Sequence, residues 1–530
     1  MAEYNLNRLG PEVLARMRAG IETLKVDMVA FRCFRLANEA MHEQLVMAVL
    51  QGARSSGAAA PNFVQELPRW RPFQLAFLLM TVNSIAAPDL TVSLEAAGNV
   101  DGQPSERELM DLIWFPTGGG KTEAYLGLTA FTLFHRRLRH AGKPDNGAGV
   151  GVITRYTLRL LTIQQFERAT RLICAAEVLR EKKRDIRGDQ LNLGIKSFLI
   201  GLWIGGGSSP NRFRDLGTDE APIEGAVTLL SRLQNNDELE FGADVRHVRV
   251  CPWCGTKIEV DNICVEDAGG KLIRYSNEVA VGQDHYLIFR CSGKLPPPLV
   301  GSCPFGRKKG LPVQIVDEEI YAHPPSLLIG TVDKFARLAW SSDTRPLFGR
   351  VNVGPAVPPP DLIIQDELHL ISGPLGTMVG IFESAIDLLA RDEHGRPPKV
   401  IGSTATIRRA AEQVWGLFRR EARQFPPPAL TAGESFFARV AADRPGRTYI
   451  GIMAPGISGK SLFLRSCGAL TQLATELPSD VRDPYWTLVC YFNSIRELAG
   501  ANVLCQDDVP NYMRSFTQIR WQLGRKEKTR

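Results

Sequence analysis

Within Thr117-Gly118-Gly119-Gly120-Lys121-Thr122, three glycines are followed by a lysine and a threonine, a spacing that can wrap a phosphate group. Glycines let the backbone turn its N–H groups inward, an ammonium can reach β- and γ-phosphates, and a hydroxyl at a helix N-terminus can ligate Mg2+. Residues 109–115 ahead of the loop read as a short buried strand, and residues 122–138 behind it read as a helix with apolar residues at helical spacing. That strand–loop–helix order is what a triphosphate-binding loop requires, although Phe115 stands where glycine or alanine is usual. ATP and Mg2+ are the expected ligands, with Thr117 to Thr122 as their cradle.

Hydrolysis needs carboxylates as well. Asp361-Leu362-Ile363-Ile364-Gln365-Asp366-Glu367-Leu368-His369 is an apolar run ending in two acids, as suits a buried parallel strand that delivers them to the carboxyl edge of a sheet. Asp366 is expected to hold Mg2+ through its water shell, and Glu367 to orient and deprotonate the attacking water, so Lys121, Asp366 and Glu367 form the catalytic set. A second loop, Ala454-Pro455-Gly456-Ile457-Ser458-Gly459-Lys460-Ser461, follows a strand-like run at 448–453. The next apolar run, 486–492, ends in Asn493-Ser494 with no acid, so this loop reads as a coincidence of spelling.

Asp366-Glu367-Leu368-His369 behind such a loop resembles the signature of superfamily 2 DExH helicases and translocases. Gly402-Ser403-Thr404-Ala405-Thr406 follows the strand 399–401 and looks like the motif that, with His369, couples hydrolysis to nucleic-acid binding; Ser403, Thr404 and Thr406 carry that expectation. Gln74, in Arg71-Pro72-Phe73-Gln74, lies where related enzymes place an adenine-reading glutamine. Strand 149–155 with Arg155, then Arg159 and Gln164-Gln165, looks like the first backbone-contacting motif, and Gly330-Thr331-Val332-Asp333-Lys334 looks like the second. The resemblance thus implies that Arg155, Arg159, Thr331 and Lys334 touch nucleic acid. Each has a plainer reading: Gln74 as a helix surface residue, Ser403 and Thr404 as helix caps, and the basic residues as solvated charges.

A chain of 530 residues with 44% hydrophobic content can bury several cores, so two to four domains are expected. The net charge is only +6, which leaves no global basic field, and nucleic-acid affinity must come from local grooves. No apolar stretch has the length of a membrane span and residues 1–5 lack a signal-peptide pattern, so no membrane partner and a cytoplasmic location are expected.

Ten cysteines in so long a chain do not make a disulfide framework. Four form a set: Cys251 and Cys254 in Cys251-Pro252-Trp253-Cys254-Gly255, then Cys291, then Cys303 in Cys303-Pro304-Phe305-Gly306. Such a knuckle turns two thiolates toward one point, and two more would complete a tetrahedral structural Zn2+ site. The second pair is open, because Cys291 and Cys303 are widely spaced and Cys264 or His285 could replace either. Chelation is expected to loosen this segment and leave the phosphate loop formed.

The organisation expected is an α/β, RecA-like P-loop core with a parallel sheet, built from strands near 110, 150, 198, 327, 362 and 400. A helical extension occupies 1–65, the core runs over 66–205 and 323–425, and a zinc-ribbon-type insertion fills 206–322. Residues 426–530 read as an incomplete second RecA-like domain, with strands at 448–453 and 487–492, in which the family's later arginine-bearing motif does not follow.

Residues 30–41, the Trp114-Phe115-Pro116 lead into the phosphate loop, the Cys-Pro-Trp-Cys-Gly knuckle, Val316 to Tyr321, Thr331 to Arg337 and Asp366 to Leu375 resemble the DrmA family, the helicase-like subunits of DISARM anti-phage systems. The likeness covers the amino-terminal portion of a much longer family member. It implies an ATP-dependent DNA helicase or translocase engaging single-stranded DNA or a duplex end, with a partner subunit, DrmB. Loss of the second-domain motifs keeps another reading open: an ATP- and zinc-binding fragment or pseudo-enzyme that docks DNA or a partner without turnover.

Overall fold

The computed structural model describes residues 8–57, 69–91, 104–115, 118–218, 221–235, 237, 243–306, 310–350, 357–404, 409–429, 434–439, 441, 443, 446 and 448–515. They divide into two compact units, Met1–Val440 and Ala441–Arg530.

The first unit is built on an eight-stranded sheet: β1 (Met110–Trp114), β2 (Val152–Tyr156), β3 (Ile200–Trp203), β4 (Val313–Gln314), β5 (Leu327–Thr331), β6 (Leu362–Gln365), β7 (Lys399–Thr404) and β8 (Ala422–Phe425). Their order is β8-β1-β7-β6-β2-β5-β3-β4, and every pairing is parallel. The central strands show no alternation of buried and exposed positions, as suits strands covered on both faces; Leu112, Ile153, Ile329, Ile363 and Ile401 are all buried. The six expected strands form. Strands β4 and β8 are additional; one is two residues long, and the other, Ala-Arg-Gln-Phe, is a polar edge, so neither carries a periodic signal.

Register brings three strand ends to one level. Trp114 of β1 stands opposite Thr404 of β7, and Gln365 of β6 stands opposite Gly402 of β7. The phosphate loop after β1 and the acids after β6 therefore leave the same edge, one strand apart.

The amino-terminal helices α1 (Gly10–Val26) and α2 (Met28–Ser56) are part of this unit's core rather than an appendage. Arg16 of α1 is buried between Glu106 and Asp111, with Nη1 2.7 Å from Asp111 Oδ1, and Lys399 of β7 completes the cluster at 2.8 Å from Asp111. Leu36, Ala37, Ala40, Met41, Met47 and Leu50 of α2 are buried in the same core as α4 (Lys121–Arg139), the helix after the phosphate loop. Between them in sequence lies α3 (Pro72–Thr81), and after β2 in sequence comes α5 (Arg159–Lys182).

The insertion carries a three-stranded antiparallel sheet of Leu272–Ile273, Ile263–Asp267 and His285–Phe289. Its end is earlier than the expected residue 322, because β4 at Val313–Gln314 already pairs with β3 in the core sheet.

In the second unit the expected strands at 448–453 and 487–492 do not form; its described residues hold helices, chiefly Gly459–Glu476 and Ile495–Gln506. A strand needs a neighbour for its N–H and C=O groups, and no strand forms among the described residues of this unit. Tyr449, Ile450, Met453, Val489 and Tyr491 stay exposed. The look-alike phosphate loop is simply a helix start, where Ser458 caps the helix by accepting from Ser461 N at 3.1 Å.

Candidate nucleotide site and metal centre

Gly118 and Gly120 adopt φ of +78° and +92°, which an L side chain rarely does. A Cβ on Gly120 would also lie 2.6 Å from Gln74 Nε2. Gly120 precedes α4 and has no side chain to cap it, so among the described residues the first-turn amides have no N-cap side chain to satisfy them and can meet a phosphate. Lys121 Nζ donates to Phe115 O at 2.8 Å. The Phe115 ring, the departure from the usual loop pattern, stacks on Phe73 of α3 with centroids 4.0 Å apart.

That stacking helps seat α3 against the loop. Gln74 is buried, its Nε2 donates to Gly120 O at 2.9 Å and its Oε1 accepts from Arg71 N at 2.8 Å, while Arg71 Nη1 donates to Gly119 O at 2.6 Å. Both ends of the Gln74 amide are thus occupied in shaping the loop.

Across the strand ends, Asp366 is buried and fixed by two donors: Glu367 N to Oδ1 at 2.9 Å, and the Tyr125 hydroxyl to Oδ2 at 2.8 Å. Tyr125 also lies 3.2 Å from Thr122 Oγ1. Burial, with Tyr156 and Asp366 beside it, holds the Tyr125 hydroxyl well above the ordinary phenol range, so it remains a donor. Glu367 takes a left-handed conformation at φ +48°, an unfavourable one for a non-glycine residue that turns the chain sharply at the strand end. His369 Nδ1 sits 3.3 Å from Glu367 Oε2 and 3.3 Å from Thr404 Oγ1, so one imidazole touches both the acid pair and the end of β7.

Lys121, Thr122, Asp366 and Glu367 line one cavity of about 1010 Å³. This is ample for a nucleotide, since ligand cavities run to roughly 300–1,000 Å³. Its other wall was not legible in the sequence: Asn38, Met41 and His42 of α2, Trp70, and Leu161, Gln165 and Arg168 of α5. Trp70 Nε1 donates to Asn38 Oδ1 at 2.6 Å, Arg168 pairs with Glu123 and approaches Thr122 Oγ1 at 3.3 Å, and Gln165 Oε1 is buried with no partner among the described residues. First-turn amides, the Lys121 ammonium and two acids around one cavity fit a triphosphate with its Mg2+.

The residues expected to touch nucleic acid separate. Arg155 is buried, paired with Glu383, with Phe335 and Phe418 flanking its guanidinium at 5.4 and 5.9 Å. Lys334 is buried against Asp317 Oδ2 at 2.6 Å and Ile204 O at 2.8 Å, and Thr331 is fully buried. These three are packed into the core rather than solvated; a charge in a motif reads the same whether it faces water or a buried partner. Arg159 is exposed. Gln165, grouped with it, lines the cavity beside Lys121 and Asp366. Ser403 and Thr404 are buried at the end of β7. Thr117 and Thr406 lie outside the described residues.

In the insertion, Cys251, Cys254, Cys291 and Cys303 are buried with their sulfurs all within 4.8 Å of one another. Cys251 and Cys303 are 3.8 Å apart, and Cys254 and Cys291 are 3.3 Å apart. A tetrahedron of Zn–S bonds of about 2.3 Å has sulfurs about 3.8 Å apart, so the set fits a structural metal ion with no open position. Gly255, at φ +75°, closes the knuckle through Gly255 N to Cys251 O at 2.9 Å. The alternatives fall away: Cys264 accepts from Arg290 Nη1 at 2.7 Å, and His285 is buried against Phe213.

No protein-family model matches the chain. The DUF1998 helicase MrfA superposes on 90% of this chain and 42% of its own with a TM-score of 0.37 and 11% identity, too distant to argue from. The DISARM protein DrmA of Bacillus paralicheniformis is 37% identical over 539 aligned positions, covering 94% of this chain and 44% of that relative. The chain thus spans less than half the length of the curated relative it matches. With its parallel α/β core and buried four-cysteine cluster, it is, over almost its whole length, a relative of the DISARM protein DrmA.

Proposed function

We propose that this chain carries the ATP-binding half of a helicase-type, DNA-dependent ATPase acting in anti-phage defence. The observation that carries the reading is the convergence of Lys121 and Thr122 with Asp366 and Glu367 at one edge of the parallel sheet, around one cavity. Lys121 offsets phosphate charge, Thr122 and Asp366 hold Mg2+, and Glu367 accepts the proton of the attacking water. When bound, Mg2+ supplies charge neutralisation on the β- and γ-phosphates. His369, touching both Glu367 and Thr404, ties the base to the end of β7 and so to whatever moves that strand end. DNA is proposed to engage Arg159 among the residues considered, and the four-cysteine cluster to hold Zn2+.

Phosphoryl transfer also needs cations on the transferring group. Reading 426–530 as part of a second RecA-like domain, the arginines are proposed to come from a further portion of a longer protein or from a partner subunit such as DrmB. The second reading, an ATP- and zinc-binding module that docks DNA or a partner without turnover, is favoured by one observation: no strand forms among the described residues of the second unit.

The test is ATP hydrolysis by the chain with and without single-stranded DNA. DNA stimulation that vanishes in Lys121→Ala and in Glu367→Gln is expected, with nucleotide binding retained in Glu367→Gln. Equal background rates in all three proteins would overturn turnover by this chain, and retained binding would then favour the docking module.

A further inference from the structure

Two helices that wall the nucleotide cavity also grip the metal knuckle. On α2, Asn38, Met41 and His42 line the cavity, and Gln51, roughly 14–20 Å further along the axis, donates from Nε2 to both Pro252 O and Trp253 O at 2.7 Å. Arg54 adds a bond from Nη1 to Cys254 O at 3.2 Å. On α5, Gln165 and Arg168 line the cavity, and Arg171, one turn beyond Arg168, donates from Nε to Pro252 O at 3.0 Å. Arg171 Nη2 donates to Gln51 Oε1 at 3.1 Å, so the two helices meet over the knuckle.

We propose that Gln51 and Arg171 are positioning residues through which the four-cysteine knuckle sets the width of the nucleotide cavity. The carbonyls they grip, of Pro252 and Trp253, lie between the ligands Cys251 and Cys254, so metal ligation fixes where those carbonyls stand. The packed interior between α2, α4 and α5 gives the helices little slack to absorb a displacement. Arg168, which pairs with Glu123 and approaches Thr122 Oγ1, moves with Arg171 as one turn of the same helix. Loss of the grip releases the α2–α5 wall from the phosphate loop, contrary to the separation of metal site and loop expected from the sequence.

This inference rests on the cavity being a nucleotide site, so the experiment has one arm that does not need nucleotide. Affinity for a fluorescent ATP analogue, zinc content, and hydrogen exchange of segments 38–45 and 159–170 in nucleotide-free protein are measured for wild type, Gln51→Ala, Arg171→Ala and Arg171→Lys. The loss of two or three hydrogen bonds should weaken nucleotide binding roughly five- to tenfold and speed exchange in both segments, with zinc retained. Arg171→Lys, which keeps the charge without the planar fork, should recover part of the effect. Lys257→Ala, at an exposed residue of the same insertion that pairs with Glu259, should match wild type. Chelation of wild-type protein should reproduce the weakened binding and faster exchange. Unchanged exchange and affinity in the Gln51 and Arg171 variants would overturn the inference. Absence of nucleotide binding by wild type would instead fail the functional reading, and the exchange arm alone would then decide the linkage.

Discussion

The Tyr125 hydroxyl donates to Asp366 Oδ2 at 2.8 Å while lying 3.2 Å from Thr122 Oγ1. One side chain on the first turns of α4 thus spans the two groups proposed to hold Mg2+, and Glu367 N fixes the other carboxylate oxygen. A partner that orients a metal-holding carboxylate typically contributes about 10–100-fold in metal affinity. Tyr125→Phe should therefore raise the Mg2+ concentration for half-maximal ATP turnover by roughly tenfold, with little change in affinity for nucleotide without Mg2+. A Mg2+ titration identical to wild type would dismiss this role.

Arg155 and Arg159 make opposite predictions. Arg155→Ala strands the buried Glu383 carboxylate and should cost about 3–5 kcal/mol of stability, measured by urea denaturation. Pairing it with Glu383→Leu should recover much of that loss. Arg159→Ala should leave stability within about 0.5 kcal/mol, and should lower the dependence of DNA affinity on log salt by about one unit.

The ligand set of the metal centre can be read from stoichiometry. Wild type should hold one zinc ion per chain, lost in Cys254→Ser and in Cys303→Ser and kept in Cys264→Ser, whose sulfur is engaged by Arg290 instead. Metal loss in Cys264→Ser would revise the set.

His135 predicts a pH dependence of stability. Burial, with only partial compensation from Asp361, depresses its imidazolium from 6.5 to about 4, and its Nε2 has no partner among the described residues. Between those values the unfolded chain binds the proton and the folded chain does not, so stability rises with pH and is lost as pH falls from about 6.5 toward 4. By pH 5 the loss from this group should be about 2 kcal/mol. His135→Phe, which keeps the stacking on Phe131, should flatten that part of the curve, seen as a smaller drop in Tm between pH 7 and pH 5. An unaltered slope would exclude His135 as its source.

Legibility followed how local each signal was. The phosphate loop, the Asp366-Glu367 pair and the Cys251–Cys254 knuckle are recognisable from residue types a few positions apart, and the six main strands each carry adjacent apolar residues without polar alternation because both faces are covered. Strands 448–453 and 487–492 have the same apolar character and do not form, since a strand is completed by a partner its own sequence does not specify. Arg155 and Lys334 mislead for a related reason: their charges are neutralised by Glu383 and Asp317, residues remote or unremarkable in sequence.

By itself, then, the sequence determined the strand–loop–helix that can cradle a phosphate, the acids that follow β6 and the identity of the cysteine knuckle, because each depends on residue type and short spacing. Only the tertiary structure decided that Cys291 and Cys303 complete the metal set, that Tyr125 bridges Thr122 and Asp366, and that α2 and α5 wall the cavity and grip the knuckle. Those relations join segments far apart in the chain, and packing of the whole core, not spacing along it, brings them within hydrogen-bonding reach.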